Sequence, residues 1–331
     1  MRVAFAGVGH YHAAFTPVYL DLVKQHGGVL VAVADSNMAL AEDRARRFGA
    51  RPYADFRRML DVERPDFVLG LGRHYEMPYI FRGLVEAGVP FLMEKPWGID
   101  AATVRGLARL AEERHAWVAT PFSFRYTRWA ETARALKQSG ELGRISHIRF
   151  RMVRPGVQRY RDQDSAWMLN RREAGGGVLL NLGVHGFDLA RYLTDEEPEI
   201  VSAVTSNAVF GLDVEDYAAV TLRTPGGAIC HVEAGYTFPT ATGRDDERVI
   251  ATDRLLLRDG PSASSGGAGC TIFRAGGEEF VPEPAGYASM WSGVVADCLA
   301  RVARGEPPPT TAQEAARAVS LVFEAYEKAR Y

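Results

Sequence analysis

Lys95 stands in Glu94-Lys95-Pro96, just past an apolar run, and His185 follows ninety residues later in a glycine-rich stretch. Because the chain opens with a glycine-rich turn of the nucleotide-binding kind, Gly7-Val8-Gly9, a lysine and a histidine meeting over a nicotinamide ring would couple proton transfer at a substrate hydroxyl to hydride transfer. For that work the lysine must be neutral part of the time. Its ordinary pKa is about 10.4, so a working value near 7 asks for about three units, or roughly 4 kcal/mol against the charged form. Burial and a neighbouring positive ring would supply this, whereas Glu94 would oppose it and is expected to point elsewhere. Pro96 fixes the chain direction and admits a cis bond. Standing alone, Glu-Lys-Pro would read as a solvated strand end.

The stretch 175–188 changes that reading. Gly175, Gly176 and Gly177 let backbone approach a ligand closely. Asn181, His185 and Asp188 are spaced four and three apart, so on a helix they share one face. Asn181 can hydrogen-bond a sugar hydroxyl without taking its proton, and His185 can do both near neutral pH.

At the other end of the problem, Gly7-Val8-Gly9-His10-Tyr11-His12 follows an apolar strand and opens a helix. Gly7 suits a tight turn and Gly9 lets a pyrophosphate approach the backbone, with the helix N-terminus supplying N–H donors. His12 stands where the third glycine of the fingerprint is usual, at the expense of close helix–strand packing. Asp35 ends the second strand, at the offset of a ribose-binding acid, with Ser36 beside it. A carboxylate there would repel a 2′-phosphate, since like charges ~4 Å apart cost about 1–4 kcal/mol at dielectrics of 80 to 20. NAD is therefore expected in preference to NADP. The alternative for Asp35 is a helix cap.

The elements that must position these groups alternate. Apolar runs at 2–6, 29–34, 66–71, 89–93 and 116–120 read as buried strands, and 39–48, 56–61, 79–87 and 103–114 as helices between them. Strict alternation implies a parallel sheet covered on both faces, an α/β Rossmann-type domain over residues 1–121. From 122 to 331 the pattern changes to a helix at 129–139 and longer strands at 145–153, 200–209, 216–224 and 228–236, interrupted by a helix at 184–193. Two helices, 287–304 and 311–328, end the chain, split by Pro307-Pro308-Pro309, with a capping box at Thr311 and Glu314. This reads as an α+β domain with a large, open, mainly antiparallel sheet, expected to bind substrate and to expose a broad face that needs covering. The small polar run 262–269 reads as a surface loop.

Taken together, the glycine-rich start, Glu94-Lys95-Pro96, the Gly175–His185–Asp188 spacing and the Pro-rich break before the last helix resemble the Gfo/Idh/MocA family of NAD(P)-dependent oxidoreductases almost end to end. The resemblance implies that Lys95 and His185 are the catalytic lysine and histidine. Asn181 occupies a position often filled by Asp, which leaves Lys95 as the acid/base. It implies a cofactor shell of Gly7, Gly9, His10, Tyr11, His12, Asp35, Ser36, Gly72, Arg73, Glu94 and Lys95. Substrate would meet Lys95, Trp97, Arg125 of Phe124-Arg125-Tyr126, Trp167, Asn181 and His185. Gly72-Arg73 replaces a usual Thr-Pro, and Met77 a usual histidine, so cofactor contacts on that side are expected to differ. Trp97 reads evenly as a stacking ring or as core. The implied activity is hydride transfer at a hydroxyl or keto carbon of a sugar, cyclitol or related polyol. The alternatives are an NAD-recycling glycoside-cleaving enzyme and a non-catalytic nucleotide sensor. A homodimer or homotetramer is implied.

Composition sets the exclusions. A net charge of −2 gives no general attraction to nucleic acid or anionic membrane. No apolar run reaches the length of a membrane span. Cys230, Cys270 and Cys298 form no Cys-x-x-Cys pair, and an odd number argues against a disulfide framework, so they read as buried residues in a cytoplasmic protein. The histidines show no zinc-like spacing, and His10 with His12 suits phosphate or ribose better than metal. Arg149, Arg151, Arg154, Arg159 and Arg161 form a basic stretch that fits a subunit interface or solvated face better than a carboxylate site for an acidic sugar.

Overall fold

The computed structural model describes residues 1–15, 18–260, 267–283 and 286–329. Most of the polar run 262–269 therefore lies outside the described residues. Two compact units emerge, one from residues 1–121, 157–177 and 291–320 and the other from 122–156, 178–290 and 321–331.

In the first unit, strands β1 (Arg2–Ala6), β2 (Val29–Ala34), β3 (Arg51–Tyr53), β4 (Phe67–Gly70), β5 (Phe91–Met93) and β6 (Val118–Ala119) form one parallel sheet in the order β3-β2-β1-β4-β5-β6. The strands are almost continuously apolar because helices cover both faces. Those helices start where the sequence offers caps. Asn37 accepts from the Leu40 amide, Asp55 from Arg57 and Asp100 from Thr103, each with an extended backbone at the cap. The order of strands reverses between β1 and β4, which opens a crevice at their carboxyl ends.

In the second unit, β7 (Ile145–Pro155), β8 (Glu199–Ser206), β9 (Tyr217–Arg223), β10 (Ile229–Phe238), β11 (Asp245–Thr252), β12 (Leu256–Asp259), β13 (Gly269–Arg274) and β14 (Gly277–Pro282) run β14-β13-β12-β11-β7-β10-β9-β8. Only β7 with β10 is parallel; the other pairs are antiparallel. The helix Val184–Thr194 lies on one face of this sheet at Gly186, where an added Cβ would sit 2.8 Å from both Phe150 and Val232. A π-helical turn, Leu179–Gly183, leads into that helix, so the even i, i+4, i+7 face expected for Asn181, His185 and Asp188 is offset at its first member.

The opposite face carries the basic stretch as a charge ladder. Arg149 pairs with Glu247 and Arg151 with Asp245, both across β7 and β11, while Arg154 points to the helix-covered side and pairs with Asp246. Arg159 belongs to the first unit, stacked over Tyr160.

Candidate active site

The glycine turn follows β1. Gly7 has φ +78°, and a Cβ there would lie 2.7 Å from the Cα of Gly72 and 2.8 Å from Ile80, so the two glycines are back to back. At Gly72, where the family resemblance leads one to expect threonine, a Cβ would lie 2.5 Å from Ile80 Cδ1. The Gly7 amide donates to Ala34 O (2.8 Å), and the His10 amide to Leu71 O (2.8 Å), which staples the turn to β2 and to the end of β4. Asp35 is buried. Its Oδ2 accepts from the Val8 amide (2.8 Å) and its Oδ1 from the Asn37 amide (2.9 Å), and each oxygen keeps a lone pair for a ribose hydroxyl. The helix Met38–Phe48 is capped by Asn37, so Asp35 is not that cap. Gly7, Asp35, Ser36, Phe56, Tyr75 and Tyr79 are among the residues lining a cavity of about 410 Å³, a size that suits an adenosine. Tyr11 turns instead onto Tyr160, edge to face at 4.9 Å.

Arg73 lies directly over the turn. A Cβ at Gly9 would be 2.9 Å from its Cζ. Its Nη1 donates to Glu76 Oε1 (2.9 Å) and its amide to Glu76 Oε2 (3.0 Å).

Lys95 and Glu94 follow β5, and both side chains are buried. The Lys95–Pro96 peptide is cis. Burial holds the Lys95 amine below the ordinary lysine range, and the charge of Glu94 partly offsets that. The expectation that Glu94 points elsewhere is thus corrected: it points inward. It can do so because Oε1 accepts from the Tyr19 hydroxyl and from His12 Nδ1, both at 2.6 Å. Burial would push Glu94 up, but His12, through its charge and its hydrogen bond, and the charge of Lys95 hold it well below the usual carboxylate range. His12 therefore does more than replace a glycine, because it partners the acid beside the lysine.

Two further histidines complete the array, and His74 went unread in the sequence. His10 and His74 are stacked at 5.7 Å, and Trp167 meets His74 edge-on at 4.8 Å while its Nε1 donates to Gly9 O (3.1 Å). His74 Nδ1 donates to Ala174 O (2.8 Å), and burial lowers its pKa to about 3. Burial likewise holds His10 well below its ordinary value, so both rings are neutral. The signal available in the sequence was position, since His74 sits just past β4, on the same crevice edge as Lys95.

One ligand atom each from His10, His12 and Glu94 lie within 4.8 Å of one another, close enough to hold a metal ion. Two of their atoms already hydrogen-bond within the protein, while Glu94 Oε2 and His10 Nε2 are buried without a hydrogen-bond partner among the described residues. His12 Nδ1 gives its proton to Glu94, and His10 Nδ1 accepts from the His12 amide (3.2 Å), which puts the His10 proton on the other nitrogen. Trp97 is buried against Phe81 (4.8 Å), with its Nε1 donating to Met93 O (3.4 Å), so its ring belongs to the core.

The second unit holds Asn181, His185 and Arg125. Asn181 Nδ2 donates to the buried Tyr236 hydroxyl (2.9 Å), a partner nothing in the sequence singled out. His185 is buried, with its ring 5.0 Å from that of Phe124. Arg125 donates through Nε to Asp188 Oδ2 (2.9 Å) and again through Nη2 to Oδ1, and lies over Tyr192 at 4.6 Å. Its fork thus anchors the helix that carries His185.

A doubly wound sheet with a glycine turn after β1, an acid ending β2 and a buried lysine after β5 is the build of a dinucleotide-dependent oxidoreductase. Comparison with known proteins agrees. Residues 1–122 match the oxidoreductase family with an NAD-binding Rossmann fold, and residues 130–253 match the GFO/IDH/MocA C-terminal domain. The chain is 30% identical over 276 residues to the myo-inositol dehydrogenase Hyg17 of Streptomyces leeuwenhoekii, covering 81% of this chain and 80% of that one. It is 29% identical over 204 residues to the D-glucoside 3-dehydrogenase of Escherichia coli, covering 58% and 54%. An oxidoreductase from Agrobacterium radiobacter, solved with NAD+, L-tartaric acid and magnesium, shares the fold at a TM-score of 0.84 and 18% identity, with 99% and 96% covered. The chain belongs to the Gfo/Idh/MocA family of NAD-binding oxidoreductases.

Proposed function

We propose that this enzyme transfers hydride between NAD and a hydroxyl or keto carbon of a sugar, cyclitol or related polyol, with Lys95 as acid/base. The observation that carries the reading is the buried Lys95 at the crevice edge of the Rossmann sheet, held below its ordinary pKa by burial. Myo-inositol and D-glucoside dehydrogenases among the relatives support the substrate class.

The residues fit the dinucleotide. Gly7 leaves room for a tight turn, Asp35 retains acceptor capacity for a ribose hydroxyl, and the adjoining cavity is lined by Ser36, Tyr75 and Tyr79. Bound NAD supplies the hydride acceptor. The protein does the rest. Lys95, neutral, takes the proton of the substrate hydroxyl while the C–H electron pair leaves with the hydride; in reverse, the ammonium returns it. His185 orients or relays, and Asn181, steadied by Tyr236, positions a hydroxyl. Asp35 disfavours a 2′-phosphate, which makes NAD the preferred cofactor. Residues 1–121 bind the cofactor, and residues 122–331 serve the substrate and a homodimeric or homotetrameric interface. The three cysteines are buried thiols, which suits a reducing cytoplasm.

Lys95→Ala is the test. Turnover against a sugar and polyol panel, read as NADH absorbance, should fall by about 10²–10⁴-fold, the usual size of an acid/base contribution. NAD affinity should persist. Unchanged turnover in that variant would remove the lysine from the chemistry.

A further inference from the structure

The space above Gly9, which a glycine keeps clear for a diphosphate, is filled in this chain by its own arginine. A Cβ at Gly9 would lie 2.9 Å from Arg73 Cζ and 3.1 Å from its Cγ and Nε. The Arg73 side chain therefore occupies the space beside Gly9, where N–H groups of such turns meet phosphate. Its hydrogen-bonded partner is Glu76, three residues on at the start of the helix Met77–Ala87, and the charge of Asp35 also acts on it. Both side chains keep about one-fifth of their surface exposed, so water and a ligand can reach the pair. Glu76 also lines the cavity that holds Asp35 and Ser36.

We propose that Arg73 is the phosphate ligand of the glycine turn, held on Glu76 until the cofactor's diphosphate draws it away. The inference rests on the dinucleotide reading above and adds the group that grips the diphosphate. A guanidinium binds phosphate oxygens through two parallel N–H bonds, and a diphosphate offers more charge and more acceptors than one carboxylate. Arg73 is thus both placeholder and ligand: it occupies the seat in the free protein and closes over the phosphates when they arrive. Gly7 makes this possible, because its lack of a side chain lets residue 72 pass within reach of the turn, with residue 73 following over Gly9.

Isothermal titration of the full chain with NADH, ADP and adenosine separates the phosphate contribution from the rest. Arg73→Met should weaken NADH and ADP at least tenfold, leave adenosine within about twofold, and flatten the salt dependence of ADP binding. Arg73→Lys should fall between the two, since it keeps charge without the fork. Glu76→Gln should tighten ADP at least twofold, because the competing carboxylate charge is gone. Thermal melts confirm that each variant is folded. ADP affinity unchanged in Arg73→Met overturns the proposal, and so does an equal loss of adenosine, which would mean that the arginine only shapes the turn. An unchanged Glu76→Gln would overturn the holding role. Wild type that binds ADP and NADH yet oxidises no sugar or polyol would sink the proposed substrate class and leave Arg73 standing; wild type that binds neither ligand would sink both.

Discussion

Lys95 is pulled in two directions. Burial disfavours its ammonium form, while Glu94, the next residue, favours it. Glu94 can stay ionised inside the protein because Tyr19 and His12 hydrogen-bond one of its oxygens. The sign of a pH effect follows. Removing the carboxylate charge leaves burial unopposed, so the lysine loses its proton at lower pH. In Glu94→Gln, the acid limb of the kcat/KM profile for substrate oxidation should therefore move to lower pH, measured as initial NADH formation between about pH 6 and 10. A limb that moves to higher pH would show that the lysine's proton is not governed by its neighbour.

At the scale of elements, Trp97 separates two readings that the sequence left even. Its ring packs on Phe81, which also meets Phe91 edge to face at 5.1 Å. Trp97→Ala should cost about 3–5 kcal/mol of stability, as large-to-small core changes do, in urea unfolding. A raised KM at unchanged stability would instead make the ring a substrate contact. Where packing leaves its mark within one segment, the sequence was readable. Residues 2–6 and 29–34 are β1 and β2 as expected, and Thr311 and Glu314 exchange the bonds of a capping box. What escaped depends on partners far along the chain. β3 is a three-residue edge strand with a proline inside it. β11 opens with Asp245-Asp246-Glu247-Arg248, which reads as solvated until β7 supplies arginines opposite. β12 to β14 are too short or too polar to show a period on their own. In the candidate site, Lys95, Asp35 and the glycine turn were legible by motif and spacing, whereas His74, Tyr19 and Tyr236 become functional candidates only through the groups they touch.

For the whole molecule, the two family matches divide the chain cleanly by residue number, at 1–122 and 130–253. The compact units do not. Residues 157–177 and 291–320 return to the first unit, where Trp167 holds Gly9 and Trp291 packs edge-on to His12 (4.9 Å) and Tyr19 (5.4 Å). The lysine's supporting acid is thus buttressed by side chains encoded almost two hundred positions later. A fragment ending at residue 121 should accordingly show no cooperative melt and no measurable NADH affinity by fluorescence titration. A well-folded, cofactor-binding fragment would prove the returning segments dispensable. If they are needed, the nucleotide half of this gene cannot be exchanged as a cassette. A chimera with a relative must carry three separate stretches across together, and recombination at the obvious boundary will join two parts that no longer fit.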